Sequence, residues 1–440
     1  MAKILLIGRG PLPGPDVKQL GFSQLRTLAF LDALRSADHD IRLVLLVTEG
    51  DGQLPSEWSG TVTVTEDGPG WISQIEAATD GADAVVSAGP YNPGRAGAAV
   101  AGDLPFWADI PGDPLAELAA LARAQDDELS PAQMAAAHAG AAAVLSRADA
   151  ISVISEPQRF ATLGQLSWIG RTLTAAADPP VYTVPITARF GFPEMPARTL
   201  SEGPLVLALS GAFNPWVDVD GLIQTLELLF RDRSDVKVVC TGGGIPGFYE
   251  AGYARFEQWA QQHPDQVTLH GWVSHDTMVQ VLSTAHAGIS MDGAGPEPEL
   301  GSRTRLLLFA HLGLMPVSTV RCELAQSWSQ GGALVPLPFN DPSGSAAVLK
   351  SLRVQTDIIH QAQRYCRATG ELPTVFEPLL NWCASPTKTA AWTEPQAVMA
   401  AELESQRDEL SRVYSSPTWI ALNRLHGIGQ TLGRIKARQE

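Results

Sequence analysis

The chain has 440 residues, of which 45% are hydrophobic and 18% charged, and its formal net charge is −16 at neutral pH. This length exceeds what one hydrophobic core usually serves, so two or three globular domains are expected. The acidic balance disfavours general nucleic-acid binding, because a surface that follows phosphates needs a concentrated basic patch. The cysteines are far apart and form no metal-binding pair, which predicts reduced thiols in a cytoplasmic protein. They are Cys240, Cys322, Cys366 and Cys383.

The first half of the chain alternates short apolar runs with amphipathic segments. Residues 3–8 predict a buried strand rather than a signal peptide, because one lysine precedes only a short apolar run. No apolar run reaches the ~18 residues of a membrane span, so a cytosolic protein is predicted. A helix follows, with leucines on one stripe, and then a helical run at 115–147. Further strands are predicted at 41–47, 82–89, 104–110 and 149–155. Strands separated by helices predict parallel βαβ units with a sheet covered on both faces.

A second alternating set begins after a Pro- and Gly-rich stretch near residue 188, which we interpret as an interdomain linker. The order of elements predicts an α/β protein with two tandem Rossmann-like, doubly wound domains that face each other across a cleft. The predicted parts are a first domain at 1–190, a linker at 191–204, a second domain at 205–400 and a C-terminal helical tail at 401–440.

The tail carries a basic amphipathic pattern. Leu425, Ile428, Leu432 and Ile435 follow one another at spacings of three and four, with arginines and a lysine among them. Such a helix packs on its own protein more often than on a membrane. A peripheral membrane or protein partner for this helix therefore stays an open expectation.

Ligands of open α/β sheets bind beyond the carboxyl ends of the strands, and two loops there have simple structural interpretations. After Gly211, which allows close backbone approach, Asp218 and Asp220 form a DxD triplet. Because both precede a helix, capping of its free N–H groups explains them better than a metal on a diphosphate. The stretch "TGGGIPG" after Cys240 lacks the lysine of a phosphate loop and predicts a turn with positive φ.

A third loop, "GPEPELGSRTR", is the strongest candidate for an anion site. A helix is predicted to start at about Arg303, so its free N–H groups, Arg303 and Arg305 could converge on a phosphate. Glu297 or Glu299 could accept hydrogen bonds from ligand hydroxyls. The competing interpretation is a surface Glu/Arg cluster of small energetic value.

The runs "LHGWVSHDTMVQVLSTAHAGISM" and "EPELGSRTRLLLFAHLGLMPVST" resemble the donor-binding half of the family 4 glycosyltransferases of GT-B fold. The segments "ISEPQRFATLGQLSWIGRT" and "SPTW" resemble a bacterial surface-polysaccharide branch of that family. The resemblance implies that a nucleotide diphosphate sugar lies in the cleft as donor substrate, with no metal and no other cofactor. It also implies transfer of the sugar with retention of configuration.

Carried over to this chain, the resemblance implies that Trp272 and Val273 flank the base and that Glu297 or Glu299 faces the sugar. The backbone at Leu300 and Gly301 would then meet the diphosphate. Stabilisation of the leaving diphosphate would fall to Arg303 first and Arg305 second.

The chain departs from the family pattern in three places. Leu307 stands where a second glutamate is usual, and the basic residues of the loop after the first strand of the second domain are missing. The histidine that often follows the fourth strand of the first domain is also missing, and Asp109 and Asp113 stand nearby. We therefore expect one of these aspartates to orient the acceptor hydroxyl, and the loop from Gly10 to Asp16 to border the acceptor pocket.

The sequence thus predicts a glycosyltransferase that moves a sugar from a nucleotide diphosphate to a glycan, lipid-linked or small-molecule acceptor. Two alternatives remain: a non-catalytic GT-B scaffold or binding subunit of a complex, and a sugar-nucleotide epimerase. The base, the sugar, the acceptor and the oligomeric state are left open.

Overall fold

A computed structural model describes residues 2–12, 17, 21–48, 61–65, 70–89, 91–126, 129–171, 179–188, 190–199, 204–389 and 416. The chain divides into two compact units, Met1–Thr389 and Ala390–Glu440. The predicted basic amphipathic helix of residues 401–440 lies outside the described residues, apart from Ser416. All of the described helices and strands belong to the first unit.

The first domain is built on a parallel sheet in the order β3-β2-β1-β4-β5-β6-β7. Its strands are β1 (Lys3–Arg9), β2 (Asp40–Val47), β3 (Val62–Thr65), β4 (Ala84–Ser87), β5 (Phe106–Asp109), β6 (Ala150–Val153) and β7 (Val181–Thr183). In β1, Ile4 pairs with Ile41 of β2 on one side and with Ala84 of β4 on the other. The strand order reverses between β1 and β4, which is the position where open sheets of this type bind ligands.

In the described segments, six helices join these strands, and a short 3-10 helix spans Ala77–Thr79. They are α1 (Phe22–Ser36), α2 (Trp71–Glu76), α3 (Asn92–Val100), α4 (Pro114–Gln125), α5 (Pro131–Arg147) and α6 (Glu156–Trp168). The helical run predicted at 115–147 is therefore two helices. Asp126 ends α4 in the left-handed conformation, and Ser130 with Pro131 starts α5 by accepting a hydrogen bond from the Gln133 N–H.

The second domain repeats the plan with a parallel sheet in the order β10-β9-β8-β11-β12-β13. Its strands are β8 (Leu205–Ser210), β9 (Val236–Thr241), β10 (Val267–Leu269), β11 (Ala287–Ser290), β12 (Met315–Thr319) and β13 (Val335–Leu337). Its helices are α7 (Val219–Asp232), α8 (Ala251–Ala260), α9 (His275–Leu282), α10 (Pro296–Leu300), α11 (Thr304–His311), α12 (Glu323–Gln330), α13 (Pro342–Lys350) and α14 (Thr356–Gly370).

The last two helices of the described residues, α15 (Leu372–Val375) and α16 (Glu377–Ala384), pack on the first domain. Phe376 meets Phe30 of α1 with ring centroids 4.9 Å apart, and Trp382 meets Trp107 of β5 at 5.6 Å. The prediction assigned these two helices to the second domain, at 205–400, whereas their apolar side chains pack in the core of the first domain. Their apolar stripe indicates burial, but it does not say which sheet buries it.

The predicted architecture, two Rossmann-like α/β domains in tandem, is confirmed. Most strands are buried between helices on both faces of their sheet, in the pattern of near-continuous apolar runs that parallel strands require. In the described part of the chain, no helix is both long and apolar enough to cross a membrane. The four cysteines are buried and unpaired, as predicted from their spacing.

Candidate active site

A cavity of about 270 Å³ lies between the two domains, at the carboxyl ends of both sheets. The first domain lines it with residues of α1 and of the loop that leads into α4. The second domain contributes the ends of β8 and β9, the loop before α9 and the loop between α10 and α11. Of the predicted acceptor loop, residues 13–16 lie outside the described residues, while Val17 directly after it lines the cavity.

Two glycines give this cavity a surface of bare backbone. Gly211 and Gly242 follow β8 and β9 with φ of 87° and 95°, a conformation that other residues rarely adopt. A Cβ on Gly242 would overlap the backbone of Gly211. The sequence prediction of close backbone approach at Gly211 and of a positive-φ turn in "TGGGIPG" fits this geometry.

Trp272 and Val273 both line the cavity, where the resemblance expects the base. The Trp272 indole Nε1 donates a hydrogen bond of 2.8 Å to the carbonyl of Gly244, and this bond fixes the ring plane. His275, at the start of α9, lines the same wall and packs against Phe192.

Arg303 is held between two carboxylates and is almost completely buried. Its Nε donates to Asp292 Oδ1 at 2.6 Å, and its Nη2 donates to Glu297 Oε2 at 3.0 Å. Its Nη1 donates to the carbonyl of Ser302 at 2.9 Å. Arg303 also lines the cavity, but each of its three nitrogens already has a protein partner. Its predicted role as the first ligand-binding arginine stays a prediction.

Within this triad, neighbouring charges shift the pKa values of Arg303 and Glu297. Burial alone would lower the pKa of Arg303, but the adjacent carboxylates of Asp292 and Glu297 outweigh it and raise the pKa. Burial raises the pKa of Glu297, and Arg303 opposes that shift. A buried triad of this kind is a rigid frame, since removing one member leaves uncompensated charge in a low-dielectric setting.

Glu297 and Glu299 have different surroundings. Glu297 is buried and lines the cavity beside Arg303. Glu299 is 58% exposed and pairs with Arg321 on the surface at 2.6 Å. Of the two predicted glutamates, Glu297 is therefore the one that reaches the cavity, and Glu299 forms the surface ion pair that was its alternative interpretation.

Arg305 lines the cavity two residues further along, in the first turn of α11. Among the described residues, its hydrogen bond is from Nη2 to the carbonyl of Ala212, at 2.9 Å, and it belongs to none of the ion pairs. Burial lowers its pKa, although the guanidinium stays charged. Arg305 is thus a half-buried cation that forms no ion pair in the described part of the chain, directly at the cavity.

The first turn of α11, which contains Arg305, also has free backbone N–H donors. Within the described ranges, no side chain caps this helix and its first turn has no acidic residue. By contrast, Asp218 caps α7 by accepting the Gly221 N–H at 2.9 Å, as predicted, and Asp220 adds a second carboxylate. The helix N-terminus at α11 is therefore open to an anion, whereas the one at α7 is closed by side-chain carboxylates.

The loop before α11 connects the two domains. Gly301 lines the cavity, and a Cβ there would crowd the Glu297 carboxylate. Leu300 does not line it; its carbonyl accepts a hydrogen bond of 2.6 Å from Ser155 Oγ at the start of α6. Of the predicted pair, Gly301 thus faces the cavity, and the Leu300 carbonyl tethers the second domain to the first.

Asp109 is a structural residue of the first domain. Its Oδ1 accepts from Arg26 Nη2 at 2.7 Å and from Ser152 Oγ at 2.6 Å. Its Oδ2 accepts from Arg26 Nε at 2.9 Å and from the Gly89 N–H at 3.2 Å. Both oxygens are occupied in the core, so the predicted role in orienting an acceptor hydroxyl does not fit.

Asp113 caps α4. Its Oδ1 accepts the N–H groups of Leu115 and Ala116 at 3.0 and 2.8 Å, and its Oδ2 accepts from the Gln165 amide. These bonds hold the loop against α6 and leave the side chain buried. The predicted acceptor role for Asp113 does not fit either, for the same reason as for Asp109.

Glu117, one turn after Asp113, is the carboxyl of the first domain that lines the cavity, and sequence reasoning missed it. Burial raises its pKa to about 8, with Glu297 and Asp113 adding repulsion, while a hydrogen bond from the Tyr91 hydroxyl opposes the shift. Gly112, with φ of 108°, makes room for it, because a Cβ there would overlap the carboxyl oxygen. The sequence contained a signal for Glu117, because it follows the cap residue Asp113 by four positions and so lies one helical turn further along.

This chain is similar to known proteins in its structure. No known family of sequences matches this chain, and no curated protein matches it either. Solved structures do match over most of its length. Sucrose-phosphate synthase from Thermosynechococcus elongatus has a TM-score of 0.62 and 15% identity, covering 88% of this chain and 100% of its own.

Two other similar structures extend this result. Anabaena HepE in complex with UDP-glucose gives a TM-score of 0.60 at 14% identity, covering 88% of this chain and all of its own. The α,α-trehalose 6-phosphate synthase of Burkholderia multivorans gives 0.58 at 11% identity, covering 92% and 98%. The chain has the GT-B fold. At these identities the likeness establishes the architecture and leaves the activity to be argued from the cavity.

Proposed function

We propose that this protein is a glycosyltransferase that takes a sugar from a nucleotide diphosphate bound in the cleft between its domains. The observation that carries the proposal is Arg305, a half-buried cation without an ion pair among the described residues, at the open N-terminus of α11. A diphosphate is the anion that suits this setting, because backbone N–H groups and a guanidinium fork both donate to phosphate oxygens. The similar protein HepE forms a complex with UDP-glucose, which supports the same class of donor here.

The other walls of the cavity suit the rest of a sugar nucleotide. Trp272 and Val273 offer an apolar surface for a base, and the bare backbone at Gly211 and Gly242 permits close approach. Glu297 presents a carboxylate, fixed by Arg303, to the hydroxyls of the sugar. Arg303 therefore acts through Glu297 as a positioning residue and does not bind the ligand.

Glu117 is the best-placed group for the acceptor. It reaches the cavity from the first domain, whereas Glu297 and Arg305 reach it from the second. When ionised it accepts a hydrogen bond from the acceptor hydroxyl and orients its oxygen towards the anomeric carbon. This assignment replaces Asp109 and Asp113, whose oxygens are occupied within the protein.

The reaction we propose retains the configuration of the sugar and needs no metal ion. The acceptor oxygen forms a bond to the anomeric carbon from the face that the diphosphate leaves. The electron pair of the broken sugar–oxygen bond goes to the diphosphate, and the acceptor proton passes to that leaving group. Arg305 and the N–H groups of α11 stabilise the charge that develops on the diphosphate. Retention and independence of metal rest on the resemblance to family 4 glycosyltransferases, as does a role in building bacterial surface polysaccharide.

The proposal includes the setting expected from the sequence. We place the enzyme in the cytoplasm, where nucleotide sugars are made, and keep peripheral contact with a membrane or a protein partner through the C-terminal helix as part of it. That helix is predicted in residues 401–440, outside the described part of the chain apart from Ser416.

Calorimetric titration of the purified protein with UDP, GDP, ADP, CMP and dTDP, in EDTA, tests the donor. We expect micromolar binding of one nucleoside diphosphate and weaker binding by Arg305→Ala. Arg255→Ala is the control, since Arg255 pairs with Asp220 on the surface. Absence of binding to every nucleotide would overturn the proposal in favour of a non-catalytic scaffold.

The donor sugar of the bound nucleotide then tests the reaction. Proton NMR of the transfer product should show the anomeric configuration of the donor, whereas the opposite configuration would contradict retention. Conversion of the donor to an epimer with no acceptor present would instead identify an epimerase.

A further inference from the structure

A second cavity, of about 660 Å³, lies in the first domain between α3, α4 and α5. This volume is within the range of cavities that enclose small-molecule ligands. Its walls are mainly the side chains of Leu118, Leu121 and Val144 and the alanines of α5, and Phe248 of the second domain borders it. The cavity is therefore apolar over most of its surface.

Helix α5 has few charged side chains for a helix that is largely exposed. From Pro131 to Ser146 it has no acidic residue, lysine or arginine, yet Val144 and Leu145 are its only buried side chains. A surface helix usually carries a polar face opposite its buried stripe. Ala137, Gly140 and Ala141 lie on the same face as Val144 and line the cavity. Their small side chains leave space that a larger residue would have filled.

The second cavity meets the cleft at Glu117, which lines both. Tyr91 donates its hydroxyl to the Glu117 carboxyl and also lines the second cavity. A molecule whose hydroxyl binds Glu117 can therefore extend away from the cleft into apolar surroundings. Polar side chains, among them Asn92, Arg95 and Gln165, line part of the cavity. Along its apolar walls, a wholly polar sugar acceptor would lose water from its hydroxyls without gaining hydrogen bonds.

We propose that the acceptor of this enzyme is an amphiphile, in which a hydroxyl bound at Glu117 is carried by an apolar body that lies between α3, α4 and α5. The inference rests on the proposed function and names its acceptor class. The apolar body is an alkyl chain or an aromatic system of small-molecule size, and these two sources share the same chemistry of recognition.

Binding of methyl, hexyl and octyl β-D-glucosides, with 2-naphthyl β-D-glucoside as the aromatic probe, tests the inference by calorimetry below micelle-forming concentrations. Affinity should rise with chain length, by roughly tenfold between hexyl and octyl. Tighter binding of the naphthyl compound would identify an aromatic body, and tighter binding of the octyl compound an alkyl chain. Equal affinity for methyl and octyl glucoside, with no gain for naphthyl, would overturn the inference.

Two variants of one helix distinguish the cavity from unspecific apolar binding. Ala141→Trp fills the cavity and should abolish the dependence on chain length, while Ala135→Trp, on the exposed face of α5 and outside the cavity, should preserve it. Ala137→Phe is the second filling variant if Ala141→Trp does not fold. Unchanged octyl glucoside binding in a folded filling variant would overturn the inference.

Titration of the same variants with the nucleoside diphosphate separates this inference from the proposed function. Nucleotide affinity should be unchanged in Ala141→Trp. Nucleotide binding without any dependence on alkyl length would leave the proposed function standing and overturn the apolar acceptor. Dependence on alkyl length without nucleotide binding would overturn both the donor site and the assignment of this cavity to an acceptor.

Discussion

Two stretches of the cleft are built in a similar way, but the charged side chain that each presents to the cavity from its helix has the opposite sign. The acidic loop (residues 109–117) follows β5 and enters α4, and the arginine loop (residues 297–305) runs from α10 into α11. In each, the charged groups next to the turn are occupied by protein partners: Asp109 and Asp113 in the first, Arg303 in the second. In each, a charged side chain inside the following helix lines the cavity. In α4 it is Glu117, which accepts a hydrogen bond from Tyr91, and in α11 it is Arg305, which donates one to the Ala212 carbonyl.

In both loops, a charged residue next to the turn is not for that reason a ligand-binding residue. Asp113 is taken up in capping the free N–H groups of α4, whereas Asp109 and Arg303 are held in buried ion pairs. A few residues later, inside the helix, the side chain points past the turn and into the cleft. The two loops differ in the result: Arg305 remains a cation, whereas Glu117 is held largely protonated at neutral pH because burial raises its pKa.

Removing Arg303 should have the largest effect. Arg303→Ala leaves Asp292 and Glu297 buried without their counter-charge, and we expect a loss of about 3–5 kcal/mol in the free energy of unfolding. Chemical denaturation measures it. Glu299→Gln, which removes a surface pair of the same loop, is the control and should change the free energy by less than about 1 kcal/mol. Equal, small effects would show that the arginine loop is not held by the triad.

Glu117→Gln should lower the rate of sugar transfer by about 100-fold, because the acceptor oxygen is no longer oriented by a carboxylate. The rate of the wild-type enzyme should rise with pH through about 8, the pKa at which Glu117 ionises, and the rate of the variant should not. Steady-state kinetics measured on both sides of that pKa test both expectations. A variant with the wild-type pH profile would exclude Glu117 from the site.

The same residue predicts a pH dependence of stability that needs no substrate. The folded-state pKa of Glu117, about 8, lies above its ordinary value of 4.5, so the fold favours the protonated form. Its stabilising contribution is therefore complete below pH 4.5 and is lost as the pH rises through 8. Across this window, the melting temperature of the wild type should fall more than that of Glu117→Gln, and parallel curves would contradict the shifted pKa.

Arg305→Ala should weaken binding of the nucleoside diphosphate by about 10- to 100-fold, the range expected for lost hydrogen bonds to a charged group. Binding of the corresponding nucleoside, which has no phosphate, should be unchanged. Parallel titrations of the two ligands measure the difference. Equal losses for both would indicate a distorted cleft and would remove Arg305 from the diphosphate site.

The smallest effect concerns Asp113. Asp113→Ala removes the cap of α4 and should lower the free energy of unfolding by about 1 kcal/mol. Asp218→Ala, which removes the equivalent cap of α7, should have a similar effect. Neither should reduce the transfer rate of the folded protein by more than a few-fold. A large loss of activity in Asp113→Ala alone would return this residue to the acceptor site.

The architecture and the region of the site could be predicted from the residues alone. Alternating apolar runs and amphipathic segments specify parallel sheets, and they located most strands of the first domain to within a few residues. The cap at Asp218 and the turn glycines were also predictable, because helix N-termini and positive φ make local demands on the residue type.

Which charged side chains face the cavity and which hold the loops depends on contacts in the folded chain. Arg303 and Arg305 are two residues apart and chemically identical, and Asp292 lies outside the motif that contains them, so sequence spacing does not assign the ion pair. Asp109 is engaged by Arg26, 83 positions away in the chain. Likewise, α15 and α16 follow the second domain in sequence but pack on the first. Partners brought together from distant segments set these assignments, since burial and ionic contact depend on distances in the folded chain.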